Sequence, residues 1–291
     1  MERRVGDEIA YGVVRLSEAG VESPALDARL LMAEALGCSR LDVIAHTERV
    51  LTDSEHNRFR AMLEKRASRF PLAYILGHKE FFGIDLAVTP DVLIPRPETE
   101  VLVEECLQRL RQANYVLCPM PFVPTIADIG VGSGAIAVAV AKNLHSVKVY
   151  TTEICHAAAK VAGANIEKHQ LTDRVILIQG DMLEPLAELG LEFDAILSNP
   201  PYIPSGDIAN LEPEVRCEPV GALDGGPDGL DAYRRLLPQA LPLLREMGFV
   251  AVEIGAGQSD AVREIAIQAG YHRIEFARDL AGIERVVVAY R

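Results

Sequence analysis

The chain has 291 residues, 49% of them hydrophobic and 24% charged, the composition of an ordinary globular protein with room for about two domains. Its net charge of −13 is uneven: residues 1–90 hold 12 Lys/Arg against 14 Asp/Glu and residues 91–291 hold 17 against 28, so the larger part would repel a phosphate backbone and a nucleic-acid substrate is disfavoured. The five cysteines (38, 106, 118, 155 and 217) are scattered without a Cys-x-x-Cys pair and the histidines lack metal-type spacing, which argues against a disulfide framework and against a metal site.

Glu2, Arg3, Arg4, Asp7 and Glu8 stand where a secretory signal would need an apolar run. The longest uncharged stretch, Gln112 to Ala127, is interrupted by Pro119, Pro121 and Pro124 and is too short for a membrane helix. A cytoplasmic enzyme without a membrane partner is therefore expected.

Residues 1–75 read as a helical domain. Val5, Ile9, Val13 and Leu16 recur at helical spacing. Ser23-Pro24 then supplies an N-cap and a proline at the first helical position, and Gly37 a C-terminal stop. Thr52-x-x-Glu55 is a capping-box pattern opening a third long helix that closes before Pro71. Phe59, Met62, Leu63 and Phe70 are expected on one face of it, with Arg58, Lys65 and Arg69 as a basic stripe beside them. A solvated face is the ordinary reading of such a stripe; the sharper one is a docking surface for an acidic macromolecular partner.

Residues 76–100 read as a linker, with a short hairpin at 80–88 turning near Gly83 and then the loop Ile94-Pro95-Arg96-Pro97-Glu98-Thr99-Glu100. The remainder, 101–291, opens with an amphipathic helix that points Leu102, Val103, Cys106, Leu107 and Leu110 inward. Strands are predicted at 126–129, 147–152, 174–179, 193–198, 248–254, 271–276 and 284–290, and helices at 134–142, 155–169, 230–246 and 258–268. This alternation predicts an α/β fold, a mostly parallel sheet covered on both faces. Seven strands with the last two consecutive match the Rossmann-like sheet of class I methyltransferases.

Gly130-Val131-Gly132-Ser133-Gly134 lies between an apolar strand and an alanine-rich helix. Glycines there let a ligand approach the backbone and the helix N-terminus. A dinucleotide fold would show G-x-G-x-x-G; here the spacing is G-x-G-x-G, with Asp128 ahead of it. An acid at that point suits the cationic amino-acid end of S-adenosylmethionine better than a pyrophosphate. Glu153, 23 positions after Gly130, is placed to accept both ribose hydroxyls, and Asp181 to take the adenine amino group. The plain alternative is a tight packing turn with surface acids.

Asn199-Pro200-Pro201-Tyr202 follows the apolar strand 193–198, at the carboxyl edge where open α/β sheets bind ligands. A planar amide-type nitrogen is a poor nucleophile because its lone pair is shared with the carbonyl. An enzyme can hold its NH₂ in line with an electrophilic methyl. Two acceptors suffice, the Asn199 side-chain oxygen and the Pro200 carbonyl, and both oppose the positive charge that develops on nitrogen. Consecutive prolines stiffen the loop, and Tyr202 offers a flat wall. The pattern leaves adenine, cytosine and glutamine nitrogens open; the ordinary reading of such a loop is a rigid turn.

The stretches Ile94–Glu100, Asp128–Gly134, Ser198–Ile203, Glu218-Pro219, Ala222–Leu230 and Glu253-Ile254-Gly255 with Gln258 resemble the HemK/PrmC family across essentially the whole chain. The resemblance implies N5-methylation of the glutamine in the Gly-Gly-Gln motif of class 1 peptide chain release factors. Methylation of a ribosomal-protein glutamine is the nearer alternative and a nucleic-acid N6-adenine or N4-cytosine methyltransferase the farther one. A scaffold that binds the cofactor without turnover is a third class. Carried across, the cofactor loop falls on Gly130 to Gly134, the ribose acid on Glu153, and the residue beside adenine on Met182. Asn199, Pro200, Pro201 and Tyr202 form the substrate clamp, with Asn199 also beside the cofactor. Phe81, Phe82 and Arg96 lie near the glutamine pocket. The basic stripe Arg58, Lys65 and Arg69 on an otherwise acidic protein adds the expectation that the N-terminal helices grip the release factor. The chain departs from the family at Glu153 (more often Asp), Val131 (commonly Thr) and Cys217 (often an aromatic).

Overall fold

A proline opens the second helix and capping boxes open the third and fourth, whereas Ser23, the expected N-cap of the second, makes no side-chain capping bond. In the computed structural model, which describes residues 3–117 and 123–291, the first helices are α1 (Val5–Glu18), α2 (Pro24–Leu36), α3 (Arg40–Ala45), α4 (Asp53–Ala67) and α5 (Leu72–Leu76). Glu2, Cys118, Pro119 and Pro121 lie outside the described residues. Pro24 opens α2 and Gly37, at φ 63°, closes it. A reciprocal capping box opens α4: Thr52 N–H donates to Glu55 Oε2 at 2.8 Å and Glu55 N–H to Thr52 Oγ1 at 3.3 Å. The same device on Ser39 and Asp42 opens α3, a helix the apolar periodicity does not announce. Val5, Leu16, Leu31, Met32, Phe59 and Leu63 form the core of these helices.

The predicted basic stripe does not survive folding. α4 ends at Ala67, so Arg69 and Phe70 lie beyond it. Arg69, at φ 64°, pairs with Glu212 at 2.9 Å and Glu214 at 2.6 Å. Arg58 and Lys65 remain exposed on the helix. The chain folds as two compact units, one of Met1–His78 with Glu212–Cys217 and one of Lys79–Leu211 with Glu218–Arg291. In the helical unit, buried Arg66 binds Asp27 at 2.8 Å and Glu214 at 2.7 Å. Burial alone would raise the Glu214 carboxyl, but hydrogen bonds from Arg69 and Arg66 overcome it and hold it down to about 2.

The second unit begins with the hairpin of β1 (His78–Phe81) and β2 (Ile84–Ala87). Its turn has positive φ at both Phe82 (53°) and Gly83 (71°), as a two-residue type I′ hairpin requires. α6 (Thr99–Leu117) follows and buries all five of the predicted inward residues. The strands and helices then alternate as β3 (Thr125–Ile129), α7 (Ala135–Asn143), β4 (Lys148–Glu153), α8 (His156–Lys168), β5 (Val175–Gln179), α9 (Glu184–Ala187), β6 (Phe193–Ser198), α10 (Asp231–Ala240), β7 (Leu244–Glu253), α11 (Ser259–Ala269), β8 (Arg273–Arg278) and β9 (Glu284–Tyr290). The seven-stranded sheet runs β5-β4-β3-β6-β7-β9-β8, with β9 antiparallel to its neighbours.

Alternate residues of the central strands feed two cores, as a doubly covered sheet requires. Ile126, Leu197, Ala251 and Val288 face one layer, while Ala127, Ile196, Val250 and Val287 face the other. The predicted helix 230–246 is shorter than its pattern. It stops at Ala240, a 3-10 turn covers Leu241–Leu243, and β7 begins at Leu244. Pro242 has no N–H with which to continue the helix. Among the described residues no helix is long and apolar enough to cross a membrane.

Candidate active site

Two loops that sequence analysis singles out leave the sheet side by side. β3 and β6 are parallel neighbours, with Ile129 paired to Ser198, so the glycine loop and the Asn-Pro-Pro-Tyr loop emerge from adjacent carboxyl ends. The chain winds outward to β4 and β5 on one side of β3 and to β6 and β7 on the other. This is the switch point at which open α/β sheets have their ligand crevice.

Gly130, Gly132 and Gly134 have φ of 74°, 53° and 87°, a left-handed conformation that costs other residues ~1–2 kcal/mol each. β4 stitches this loop in place. Gly130 and Val131 N–H both donate to Thr152 O at 3.0 Å, and Gly132 N–H donates to Glu153 Oε2 at 3.0 Å. Cys155 N–H donates to Glu153 Oε1 at 2.9 Å, so the carboxylate is oriented through both oxygens. Thr152 Oγ1 donates to Met182 O at 2.8 Å, bringing the turn at Met182 (φ 48°) to the same edge. Asp181 lies in that turn and pairs with Arg235 at 2.6 Å. Ser133 is buried, and its carbonyl accepts a hydrogen bond from buried Asn165 of α8 at 2.8 Å. The same Asn165 bonds both the N–H and the C=O of Ala87, tying hairpin and glycine loop together.

Asp128 is 1% exposed. Its Oδ2 accepts the Ala137 N–H of α7 at 3.1 Å, while its Oδ1 has no hydrogen-bond partner among the described residues. Burial pushes the carboxyl up to about 7; the Ala137 N–H opposes this and the charge of Glu153 adds to it. Asp128 Oδ1 is thus a buried acceptor left open behind the glycine loop.

In the second loop Asn199 Nδ2 donates to the hydroxyl of Thr99 at 3.0 Å. With that N–H committed, Oδ1 remains as an acceptor. Pro200 is buried and Pro201 partly so. Tyr202 Oη donates to Glu253 Oε1 at 3.3 Å, and burial, reinforced by Glu253, pushes the phenol well above its usual range. Glu253 is 1% exposed, and its Oε2 has no hydrogen-bond partner among the described residues. Burial raises its carboxyl to about 7 against the hydroxyls of Thr99 and Tyr202, which favour the charged form.

The segment 222–230 braces this loop from below. Ile203 N–H donates to Leu223 O at 3.0 Å and Gly225 N–H to Ile203 O at 2.9 Å. Gln258 Nε2 reaches Tyr202 O at 3.0 Å and Gly229 O at 3.3 Å. A Cβ on Gly225 would stand 2.8 Å from Pro201 O, and one on Gly229 2.3 Å from Tyr202 O. Only glycine allows that approach.

Of the residues expected near the pocket, Phe81 belongs to the hydrophobic core at 1% exposure and offers no surface. Phe82 is half-buried, its N–H held by Glu100 Oε1 at 2.8 Å. Arg96 forms an ion pair with buried Glu218, whose other oxygen accepts the Ile94 N–H at 3.1 Å. Burial raises the Glu218 carboxyl and Arg96 pulls it back. Thr99, Thr152, Asn165, Glu218 and Glu253 received no role from sequence reasoning. Three of them sit inside the family-like runs, so the sequence marks them without revealing their partners.

Residues 9–77 match the model of the PrmC N-terminal domain, and residues 109–211 match that of the methyltransferase small domain. A release factor glutamine methyltransferase of Moorella thermoacetica is 46% identical over 284 residues, covering 97% of each chain. One of Geobacter sulfurreducens is 44% identical over 273 residues, 94% of this chain and 91% of that one. Among solved structures, the hMettl16 catalytic domain in complex with MAT2A 3′UTR hairpin 6 aligns with a TM-score of 0.55 at 17% identity, over 83% of this chain and 84% of that one; this speaks to the fold alone. Identity at the level of the two bacterial enzymes, sustained through the helical and the sheet unit alike, makes this chain a member of the release factor glutamine methyltransferase family.

Proposed function

We propose that this chain transfers the methyl group of S-adenosylmethionine to the side-chain amide nitrogen (N5) of the glutamine in the Gly-Gly-Gln motif of class 1 peptide chain release factors, in the cytoplasm. The observation that carries the reading is the Asn199 carboxamide, tied to Thr99 through its nitrogen and beside the glycine loop at the switch point of the sheet. The family membership of the chain supports the substrate.

The residues present fit S-adenosylmethionine. The orphaned Oδ1 of Asp128 suits its ammonium group. Gly130, Val131, Gly132, Ser133 and Gly134 would admit it to the backbone, Glu153 would accept from the ribose diol, and Met182 and Asp181 would flank the adenine. Once bound, S-adenosylmethionine supplies an electrophilic methyl.

The protein's own work is to aim the nucleophile. Asn199 Oδ1 and the Pro200 carbonyl accept the two N–H bonds of the glutamine amide, which fixes the direction of the nitrogen lone pair. As positive charge develops on nitrogen these acceptors bind more strongly, and catalysis comes from that difference. Pro201 keeps the loop rigid, Tyr202 stacks against the planar amide, and Phe82 and Arg96 border the pocket. The helical unit, with Arg58 and Lys65 exposed on α4, recognises the body of the release factor.

The test is a mass spectrum of the Gly-Gly-Gln peptide from a purified release factor incubated with this protein and S-adenosylmethionine. One methyl localised to the glutamine side chain is expected. Its absence, from protein that binds the cofactor, would overturn the assignment of substrate.

A further inference from the structure

The end of β4 serves two loops at once. The backbone carbonyl of Thr152 accepts from Gly130 and Val131 N–H at 3.0 Å each, which secures the glycine loop. Its side chain reaches a different loop: Thr152 Oγ1 donates to Met182 O at 2.8 Å. A carbonyl oxygen only accepts, so the direction of this bond is unambiguous. Thr152 is 0% exposed, and water does not compete for the hydroxyl.

The turn at Met182 is the part that needs holding. Met182 has φ 48°, a left-handed conformation that a residue with a Cβ keeps only when its surroundings impose it. The turn is fixed before Met182 by Gly180 N–H, which donates to Glu153 O at 3.0 Å, and across it by Glu184 N–H, which donates to Asp181 O at 3.2 Å. At Met182 itself the carbonyl is bonded to the Thr152 hydroxyl, and the N–H has no acceptor among the described residues. Beside it Asp181 gives Oδ2 to Arg235 at 2.6 Å and keeps acceptor capacity on its other oxygen.

We propose that Thr152 is a positioning residue for recognition of the cofactor's base. Its hydroxyl pins the Met182 carbonyl, and so holds the free N–H of Met182 and the carboxylate of Asp181 as a paired donor and acceptor. That pair matches adenine, whose amino group donates and whose neighbouring ring nitrogen accepts. It mismatches hypoxanthine, in which the oxygen accepts and the ring N–H donates. The inference rests on the cofactor reading proposed above. It divides one residue between two tasks: the backbone of Thr152 holds the loop for the amino-acid end, and its side chain holds the turn for the base.

Thr152→Val keeps the shape and the backbone bonds to the glycine loop but loses the hydroxyl. Calorimetric titration with S-adenosylhomocysteine should show affinity falling by about 10-fold, the scale of one hydrogen bond. The preference for S-adenosylhomocysteine over S-inosylhomocysteine should narrow by a similar factor. In turnover on a release factor the KM for S-adenosylmethionine should rise, with kcat at saturating cofactor and the KM for release factor near wild type. Thr152→Ser, which retains the hydroxyl, should keep both affinity and preference. Wild-type affinity in Thr152→Val would overturn the proposal. So would a loss shared equally by the two nucleosides, because a role in packing alone weakens both alike, or the same loss in Thr152→Ser. Failure of the wild-type protein to bind S-adenosylhomocysteine would instead overturn the cofactor reading on which the proposal rests.

Discussion

At the scale of single residues the proposed site is built from groups that are anchored by one hydrogen bond and keep acceptor capacity free. Asn199 spends its nitrogen on Thr99 and Asp128 spends one oxygen on Ala137. Both Glu153 oxygens are taken once by backbone N–H groups, which leaves further lone pairs for a diol. Each side chain is held by the protein and still has an acceptor to offer a ligand. Asn199→Ala removes such an acceptor from the clamp and leaves the glycine loop and Glu153 in place. Turnover should fall by ~10²-fold or more with S-adenosylmethionine affinity nearly intact, as separate kinetic and calorimetric titrations would read. Near-normal turnover would exclude the clamp mechanism.

At the scale of elements, catalytic geometry depends on loops that do not themselves react. The segment 222–230 adds a short parallel bridge to the Asn-Pro-Pro-Tyr loop, Ile203 beside Asp224. Its glycines let two backbones approach more closely than any side chain permits. Gly229 combines φ 76° with a forbidden Cβ position, whereas Gly190 has φ 63° and nothing within 4 Å. Alanine at Gly190 should therefore lose only the ~1–2 kcal/mol of a left-handed residue and keep turnover. Alanine at Gly229 must also displace Tyr202, and a shift of about 1 Å at a reacting group can cost ~10²-fold in rate. Comparing melting temperature and turnover for the two variants checks this. Equal turnover in both would mean the brace does not position the loop.

At the scale of the whole molecule, the two units should respond to pH in opposite senses. Glu214 of the helical unit is held down to about 2. Its contribution is fully present above the usual carboxylate range near 4.5 and is lost as pH falls toward 2. Asp128 and Glu253 of the sheet unit are raised to about 7. There the native state holds more protons than the unfolded state between about 4 and 7, so stability declines as pH rises through that window. Hydrogen exchange resolved by peptide should show the sheet unit exchanging more slowly, after correction for intrinsic rates, at pH 5 than at pH 8. Asp128→Asn should flatten that difference, and Glu214→Gln should remove the acid loss from α4. A sheet unit equally protected at both pH values would contradict the raised carboxyls.

Local chemistry is what the sequence by itself determines here. The capping box at Thr52, the stop at Gly37, the strand–helix alternation and the glycine turn each depend on residues within a few positions of one another. So do the inward face of α6 and the loop after β6, and all are legible before folding. The exceptions are also local: Pro242 ends α10 early, and the Ser39–Asp42 box makes a helix too short for a periodic signal. Only tertiary structure decides the partners of charged and polar groups. Arg69 resembles a free cation on a helix until Glu212 and Glu214, some 145 residues later, neutralise it. Phe81 resembles a pocket wall until the core covers it. Thr99 and Asn199 come together across 100 positions, and Tyr202 and Glu253 across 51, through the order of strands in the sheet. Apolar periodicity is written along the chain, but the hydrogen bond that orients a carboxamide depends on which buried acceptor folding places beside it.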